Sequence, residues 1–255
     1  MRTSELQDFY QQGYRSLYQE TEEPTRKDLI MQEERAKRTL EIIKKDVPRV
    51  DRHLDIGSSS GALLGEISEY FGCKSVGVEP GDGYRSFSTR QGYQIYPSLK
   101  ALPSDAGHFD LLSIMHVLEH FPDPVASLWE LRENHLSQNG FLLIEVPNLL
   151  EHEALEIAHL IAFTPSTLKE TVRRAGFKPL WTKTHGSFRS PIINLYITLL
   201  AVPRNDSDEA PRVQSSSIGI RFRRSWGKLK RRLLTRFLPD WTWQSPPSLW
   251  EDYKD

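Results

Sequence analysis

The sequence predicts an α/β fold, a mostly parallel sheet with helices on both faces. Three observations predict it. From Val50 to about Pro203, apolar strand-like runs alternate with helical periodicities. The first of these runs ends at Asp55 and passes through Gly57-Ser58-Ser59-Ser60-Gly61 into Ala62-Leu63-Leu64, which is a strand, a tight turn and a helix start. The second strand closes on an acid, Glu79, roughly 20 residues after the turn, where nucleotide-binding α/β folds place a carboxylate for the ribose hydroxyls.

The elements follow in order. Residues 1–47 read as an N-terminal helical segment. Phe9 precedes Tyr10, Tyr14 and Tyr18, which recur at four-residue steps and would share one helix face, either docked on the main domain or laid over the active site as a lid. Residues 26–46 read as a solvated helix. Its charges pair at i,i+4 (Glu33 with Lys37, Glu34 with Arg38, Glu41 with Lys45), its buried side is Met31, Ala36, Leu40, Ile43 and Val47, and Pro48 stops it.

The α/β domain spans residues 48–203. A helix from about Gly61 to Tyr70 precedes a strand at Ser75–Glu79, and a helix at Tyr84–Gln91 precedes a strand at Gly92–Tyr96. After a loop at Leu99–Gly107 come a buried strand at Phe109–Met115 and a helix at Pro124–Leu136, which Asn139-Gly140 stops. A strand at Phe141–Val146 follows. A polar linker covers 204–217 and a basic extension covers 218–255.

The glycine turn lacks the glycine at position 59 that a dinucleotide fingerprint needs, and no Gly-Lys-Ser/Thr closes it as in a phosphate loop. An acid followed by Gly-x-Ser-x-Gly instead resembles the first motif of the class I S-adenosylmethionine-dependent methyltransferases, with Asp55, Gly57 and Gly61 matching and Ser59 in place of the middle glycine. The run Phe109 to His120, then Asp123-Pro124, Asn139-Gly140 and Phe141 to Asn148, is similar to the later motifs of small-molecule members. So are Phe163 to Lys169 and Arg174-Ala-Gly-Phe177.

The resemblance covers about residues 50–203. It implies a Rossmann-like seven-stranded sheet of order 3-2-1-4-5-7-6 with an antiparallel last strand, near Ile192–Val202. It also implies S-adenosyl-L-methionine as cofactor. Asp55, Gly57, Ser58, Ser59 and Gly61 would hold the amino-acid end, Glu79 the ribose, and Leu99 and its neighbours the adenine, with Pro80 also in the cofactor-binding set and Met115 and His116 flanking the cofactor.

His116-Val-Leu-Glu119-His120 also matches the inverted zincin pattern, but a strand ending at Met115 and prolines at 122 and 124 leave no long helix to carry it. Three readings stay open. His116 or His120 is a general base for a hydroxyl acceptor, since neutral imidazole takes a proton near neutral pH. Or the stretch resembles the Glu-Val-Leu-Glu-His of ubiquinone-pathway O-methyltransferases, where acid and imidazole hold a divalent metal, although His116 replaces the first glutamate. Or Glu119 and His120 only hydrogen-bond the loop and helix. No metal ligand set is assigned, and His152, His159 and His185 are assigned no catalytic role. Residues 149–163, with Glu151, Glu153 and Glu156, read as an inserted helix that sets acceptor specificity.

In the extension, Arg221, Arg223, Arg224, Lys228, Lys230, Arg231, Arg232 and Arg236 run without an acid, and Phe222, Trp226, Leu229, Leu233 and Phe237 recur at three- and four-residue steps. Three readings stay open: a helix docked on the domain with its basic face in solvent, a peripheral contact with anionic membrane through residues 218–238, and RNA binding. Nucleic acid is the least favoured, because no aromatic stacking platform is recognisable.

Lys plus Arg (33) nearly cancels Asp plus Glu (34), so the whole chain is no polyanion binder. The single cysteine, Cys73, excludes an internal disulfide and a thiolate zinc site, and it fits the cytoplasm. Neither a signal peptide nor a membrane span is expected. The expected activity is methyl transfer to a hydroxyl of a small-molecule, saccharide or lipid-linked glycan acceptor. The alternatives are a non-catalytic scaffold acting through its basic helix, and an NAD oxidoreductase, which would want a glycine at position 59.

Overall fold

The computed structural model describes residues 23–152, 158–187, 189–204 and 219–243. The aromatic stripe of Phe9, Tyr10, Tyr14 and Tyr18, the acids Glu153 and Glu156, most of the 204–217 linker and the tail beyond residue 243 lie outside the described residues.

Helix α1 (Arg26–Ile43) begins at a reciprocal cap. The Thr25 hydroxyl accepts from the Asp28 N–H at 3.2 Å, and the Asp28 carboxylate accepts from the Thr25 N–H at 3.0 Å, which satisfies two otherwise orphaned donors. Ala36, Leu40 and Ile43 form its buried side. Glu34 pairs with Lys37 at 3.4 Å and Glu41 with Lys44 at 2.5 Å, a spacing of three rather than the expected four. Both are exposed surface pairs that contribute little.

The strands are β1 (Arg52–Ile56), β2 (Lys74–Val78), β3 (Gln94–Tyr96), β4 (Phe109–Met115), β5 (Leu136–Pro147), β6 (Phe177–His185) and β7 (Tyr196–Pro203). They form one seven-stranded sheet of order β3-β2-β1-β4-β5-β7-β6, the expected order. β1 runs parallel to β2 and β4, β2 runs parallel to β3, and β7 is antiparallel to β6. The crossovers carry α2 (Ala62–Phe71), α3 (Asp82–Arg90), α4 (Pro124–His135) and α5 (Pro165–Arg174). α1 packs on α2.

The chain folds as two compact units, Met1–Val117 with Leu131–Leu142, and Leu118–Glu130 with Leu143–Asp255. In the first, Leu54, Ile67, Leu111, Leu112 and Ile114 are fully buried. In the second, Leu143, Ile144, Val146, Leu168, Ile197 and Leu199 are.

Two expectations change. Asn139-Gly140 does not stop α4; the helix ends at His135 and both residues lie inside β5. Gly140 is not among the positive-φ glycines, so it makes no left-handed cap. It serves close approach instead, because an added Cβ would lie 2.6 Å from Leu136 Cδ1.

The second change is in the extension. α6 (Ile220–Phe237), followed by the short α7 (Pro239–Thr242), does not dock by its apolar row. Phe222, Trp226 and Phe237 are 75%, 62% and 69% exposed, whereas Gly227 is the buried residue of the helix. A Cβ at Gly227 would lie 2.1 Å from the Leu150 carbonyl oxygen, so the missing side chain is what lets this face seat. No described helix is long and apolar enough to cross a membrane.

Candidate functional site

The parallel strands β1, β2 and β4 end side by side, and the site is built on their carboxyl ends in the first unit. β1 delivers Asp55, which is 3% exposed. Its carboxylate accepts from the Ser113 hydroxyl of β4 at 2.5 Å. Ser113 also lies 2.7 Å from Nε2 of the buried His53, whose Nδ1 lies 3.2 Å from the Ser75 hydroxyl.

Burial holds His53 near pKa 3, a neutral ring. Ser113 spends its hydroxyl proton on Asp55, so His53 carries its proton on Nε2 and accepts from Ser75 through Nδ1. Burial also pushes the Asp55 carboxyl up to about 7; the Ser113 hydrogen bond lowers it and the nearby Glu79 charge raises it further.

Beyond Asp55 the backbone turns through three left-handed residues, Gly57 (φ +76°), Ser59 (φ +50°) and Gly61 (φ +81°). The N–H groups of Gly57 and Ser58 both donate to the Val78 carbonyl, at 2.7 and 3.0 Å, which ties the turn to β2. At Gly57 a Cβ would lie 2.3 Å from Val117 Cγ2, and at Gly61 it would lie 2.5 Å from the Tyr93 ring. The first contact brings the loop after β4 onto the glycine turn. In that loop His116 has φ +57°, a conformation that costs a non-glycine residue of order 1 kcal/mol or more and that clusters at functional sites.

Glu79, 3% exposed, follows β2 and locks the turn. One carboxylate oxygen accepts from the Ser59 N–H at 2.9 Å, and the other accepts from the Gly81 N–H at 2.9 Å. The Arg85 guanidinium donates to the carbonyls of Glu79 and Pro80, each at 2.9 Å. Leu99 opens the single helical turn Leu99–Ala101 after β3 and is half-buried. Met115, also half-buried, ends β4.

The first unit therefore places Asp55, Gly57, Ser58, Ser59, Gly61, Glu79 and Pro80 at the ends of β1 and β2, with the turn bonded to Val78 and Glu79 and Asp55 bonded to Ser113, and it sets His116 in the adjoining loop. Among the described residues the Ser58 hydroxyl is buried without a hydrogen-bond partner. A cofactor fits this set. It brings polar groups to a place where the Ser58 hydroxyl has none, and a carboxylate at the end of β2 is the acceptor that a ribose's cis hydroxyls call for.

Sequence reasoning missed Gln32, whose side-chain oxygen accepts from the Ser60 N–H at 3.0 Å and from the Ser60 hydroxyl at 2.5 Å. It missed Ser88 too, whose hydroxyl donates to the Ser59 carbonyl at 2.7 Å. Nothing in a helical Gln or Ser marks such a partner in advance.

His120 belongs to the second unit, in the single turn Leu118–His120. Its Nδ1 lies 3.0 Å from the Ala158 carbonyl, so that nitrogen carries the proton and Nε2 is the basic one in the neutral ring. The His159 ring meets it edge-on with centroids 4.9 Å apart, and His159 Nε2 lies 3.9 Å from the buried Glu119 carboxylate. The ligand atoms of Glu119, His120 and His159 all lie within 4.8 Å of one another. One carboxylate and two imidazoles are a donor set that suits a divalent transition metal. Neither spacing nor motif had assigned His159 to it.

A second polar cluster of this unit was also unassigned. Thr198 Oγ1 donates to the Glu145 carboxylate at 3.0 Å and lies 2.6 Å from His185 Nε2, which is 3.2 Å from Glu145. An acid inside the apolar run Phe-Leu-Leu-Ile-Glu145-Val was the available signal, since a carboxylate there needs partners.

Residues 28–181, more than half of the chain, match the family model described as a methyltransferase domain. No curated protein matches the chain. Among solved structures, one similar fold is the Burkholderia thailandensis 1,6-didemethyltoxoflavin-N1-methyltransferase with bound 1,6-didemethyltoxoflavin and S-adenosylhomocysteine, at 19% identity and TM-score 0.55, covering 70% of this chain and 82% of that one. A SAM-dependent methyltransferase from Archaeoglobus fulgidus is 20% identical with TM-score 0.53, covering 69% and 99%. A Haloferax volcanii complex of the Trm112 methyltransferase activator and a methyltransferase matches at 14% identity and TM-score 0.55, covering 73% and 100%. At these identities the likeness is one of fold.

Proposed function

The chain belongs to the methyltransferase domain family, and we propose that it uses S-adenosyl-L-methionine to methylate a hydroxyl of a small-molecule, saccharide or lipid-linked glycan acceptor. The observation that carries this reading is the Glu79 carboxylate, held by the Ser59 and Gly81 N–H groups at the end of β2. Two backbone N–H groups fix its orientation at the strand end, and a carboxylate there is the group that can accept from two cis hydroxyls at once.

The cofactor, when bound, supplies an electrophilic sulfonium methyl group. This chain's residues hold, orient and deprotonate. Asp55, Gly57, Ser58, Ser59 and Gly61 hold the amino-acid end, Glu79 holds the ribose, and Pro80 and Leu99 line the adenine side. Met115 and His116 flank the cofactor at the end of β4. Most of the rate enhancement in such a transfer comes from positioning, which needs no covalent residue.

A hydroxyl acceptor must also lose its proton. His120 suits that task, because the Ala158 carbonyl fixes its tautomer and leaves Nε2 basic. His116, held at positive φ beside the glycine turn, is the other candidate base.

The test is S-adenosylhomocysteine release over a panel of phenols, saccharides and lipid-linked glycans, with matched amines. Turnover on a hydroxyl acceptor is expected, reduced about a hundredfold or more in His120→Gln or His116→Gln. Turnover confined to amines would refute the hydroxyl reading, and hydroxyl turnover untouched in both variants would refute the assignment of either histidine as the base.

A further inference from the structure

We propose that α6 is an interfacial helix that lays its apolar stripe on an anionic phospholipid surface. The inference rests on which side of the helix is held, and it is independent of the methyl-transfer reading.

The inner side is fixed by small and polar groups. Gly227 seats against the Leu150 carbonyl. Arg231 donates to the Glu151 carbonyl at 3.2 Å, and Lys230 approaches the Glu151 carboxylate at 3.7 Å. The far end is tied down as well, since the Ser190 hydroxyl donates to the Thr242 carbonyl at 2.6 Å.

The outer side is apolar. Phe222, Trp226, Leu229, Leu233 and Phe237 are 47–75% exposed. At 3.6 residues per turn they fall within a wedge of about 80°. Trp241, 71% exposed, follows just beyond the helix. A contiguous stripe of this kind marks a docking surface.

Charge selects the occupant. On the helical projection Arg223 borders the stripe on one side, and Arg221 and Arg236 border it on the other. Long cationic side chains on both margins of an apolar face match a headgroup layer, where the stems lie along the acyl boundary and the charges meet phosphate. Each such cation adds attraction near an anionic leaflet. A second copy of this helix is disfavoured, because α6 carries eight cations and no acid, and two such faces repel. The helix lies on a bilayer rather than across it, since no described helix meets the length and apolarity of a span.

The test is flotation of the full chain with vesicles of equimolar phosphatidylglycerol and phosphatidylcholine, beside pure phosphatidylcholine. The second protein is a triple variant, Phe222→Ser, Trp226→Ser and Phe237→Ser, changed only at exposed positions. Wild type is expected to bind the anionic vesicles, to bind pure phosphatidylcholine at least about tenfold more weakly, and to lose affinity as salt rises. The triple variant is expected to lose binding by at least about tenfold while keeping the wild-type melting temperature. No binding to anionic vesicles, or equal binding by the triple variant, overturns the proposal. So does a wild-type dimer in solution that becomes monomeric in the triple variant, which would make the stripe a contact between copies.

Discussion

Glu79 accepts a hydrogen bond from the backbone N–H of Ser59 at 2.9 Å, so the acid at the end of β2 and the middle of the glycine turn are one structural unit. Ser59 stands at φ +50°, and the bond helps to hold it there. Where a glycine would adopt this conformation without strain, serine relies on Glu79 on its N–H and Ser88 on its carbonyl. The departure from Gly-x-Gly-x-Gly is therefore accommodated locally.

Asp55 gives a pH prediction. Its folded pKa is raised by burial to about 7, above the ordinary carboxylate value. The protonated form is favoured in the fold, so its contribution to stability is complete below about pH 4 and is lost as pH rises toward about 7. A cationic ligand beside it prefers the ionised form. Affinity for S-adenosylmethionine should therefore rise with pH up to about 7 and then level, and Asp55→Asn should bind more weakly with a flatter profile. Titrations across this range check it.

Gly57 cannot take a side chain. Its φ is +76° and a Cβ would lie 2.3 Å from Val117 Cγ2. Gly57→Ala should destabilise the protein by about 1–3 kcal/mol in urea unfolding, from left-handed strain plus overpacking. It should also weaken cofactor binding by moving the turn.

Thr198 bridges Glu145 and His185 inside the second unit. Thr198→Val keeps the shape and removes the bridging hydroxyl, which should cost about 1–3 kcal/mol in the same measurement. Thr198→Ser should recover most of that loss, and failure to recover would mean that packing rather than the hydroxyl matters.

The sheet was legible in the sequence because strand and helix periodicities alternate cleanly from Val50, and Asp55, Gly57, Gly61 and Glu79 fall where strand ends must place them. Partners that join by tertiary contact were not legible. Gln32 caps Ser60 from a helix that reads as a solvated face, and His159 reaches Glu119 and His120 from 39 residues beyond His120, with a helix and a strand between them. The direction of α6 was hidden for a different reason. Periodicity finds an apolar stripe but not which side is buried, and one glycine, Gly227, decided it.

Calorimetric titration of S-adenosylmethionine, S-adenosylhomocysteine and NAD into wild type and Glu79→Ala tests the central claim most directly, with melting curves confirming that both are folded. The account predicts that the first two bind wild type, that NAD does not, and that Glu79→Ala weakens both by about a hundredfold or more, as loss of two charge-assisted hydrogen bonds would. A folded wild-type protein that binds neither, or a Glu79→Ala variant that binds them as well as wild type, would contradict it.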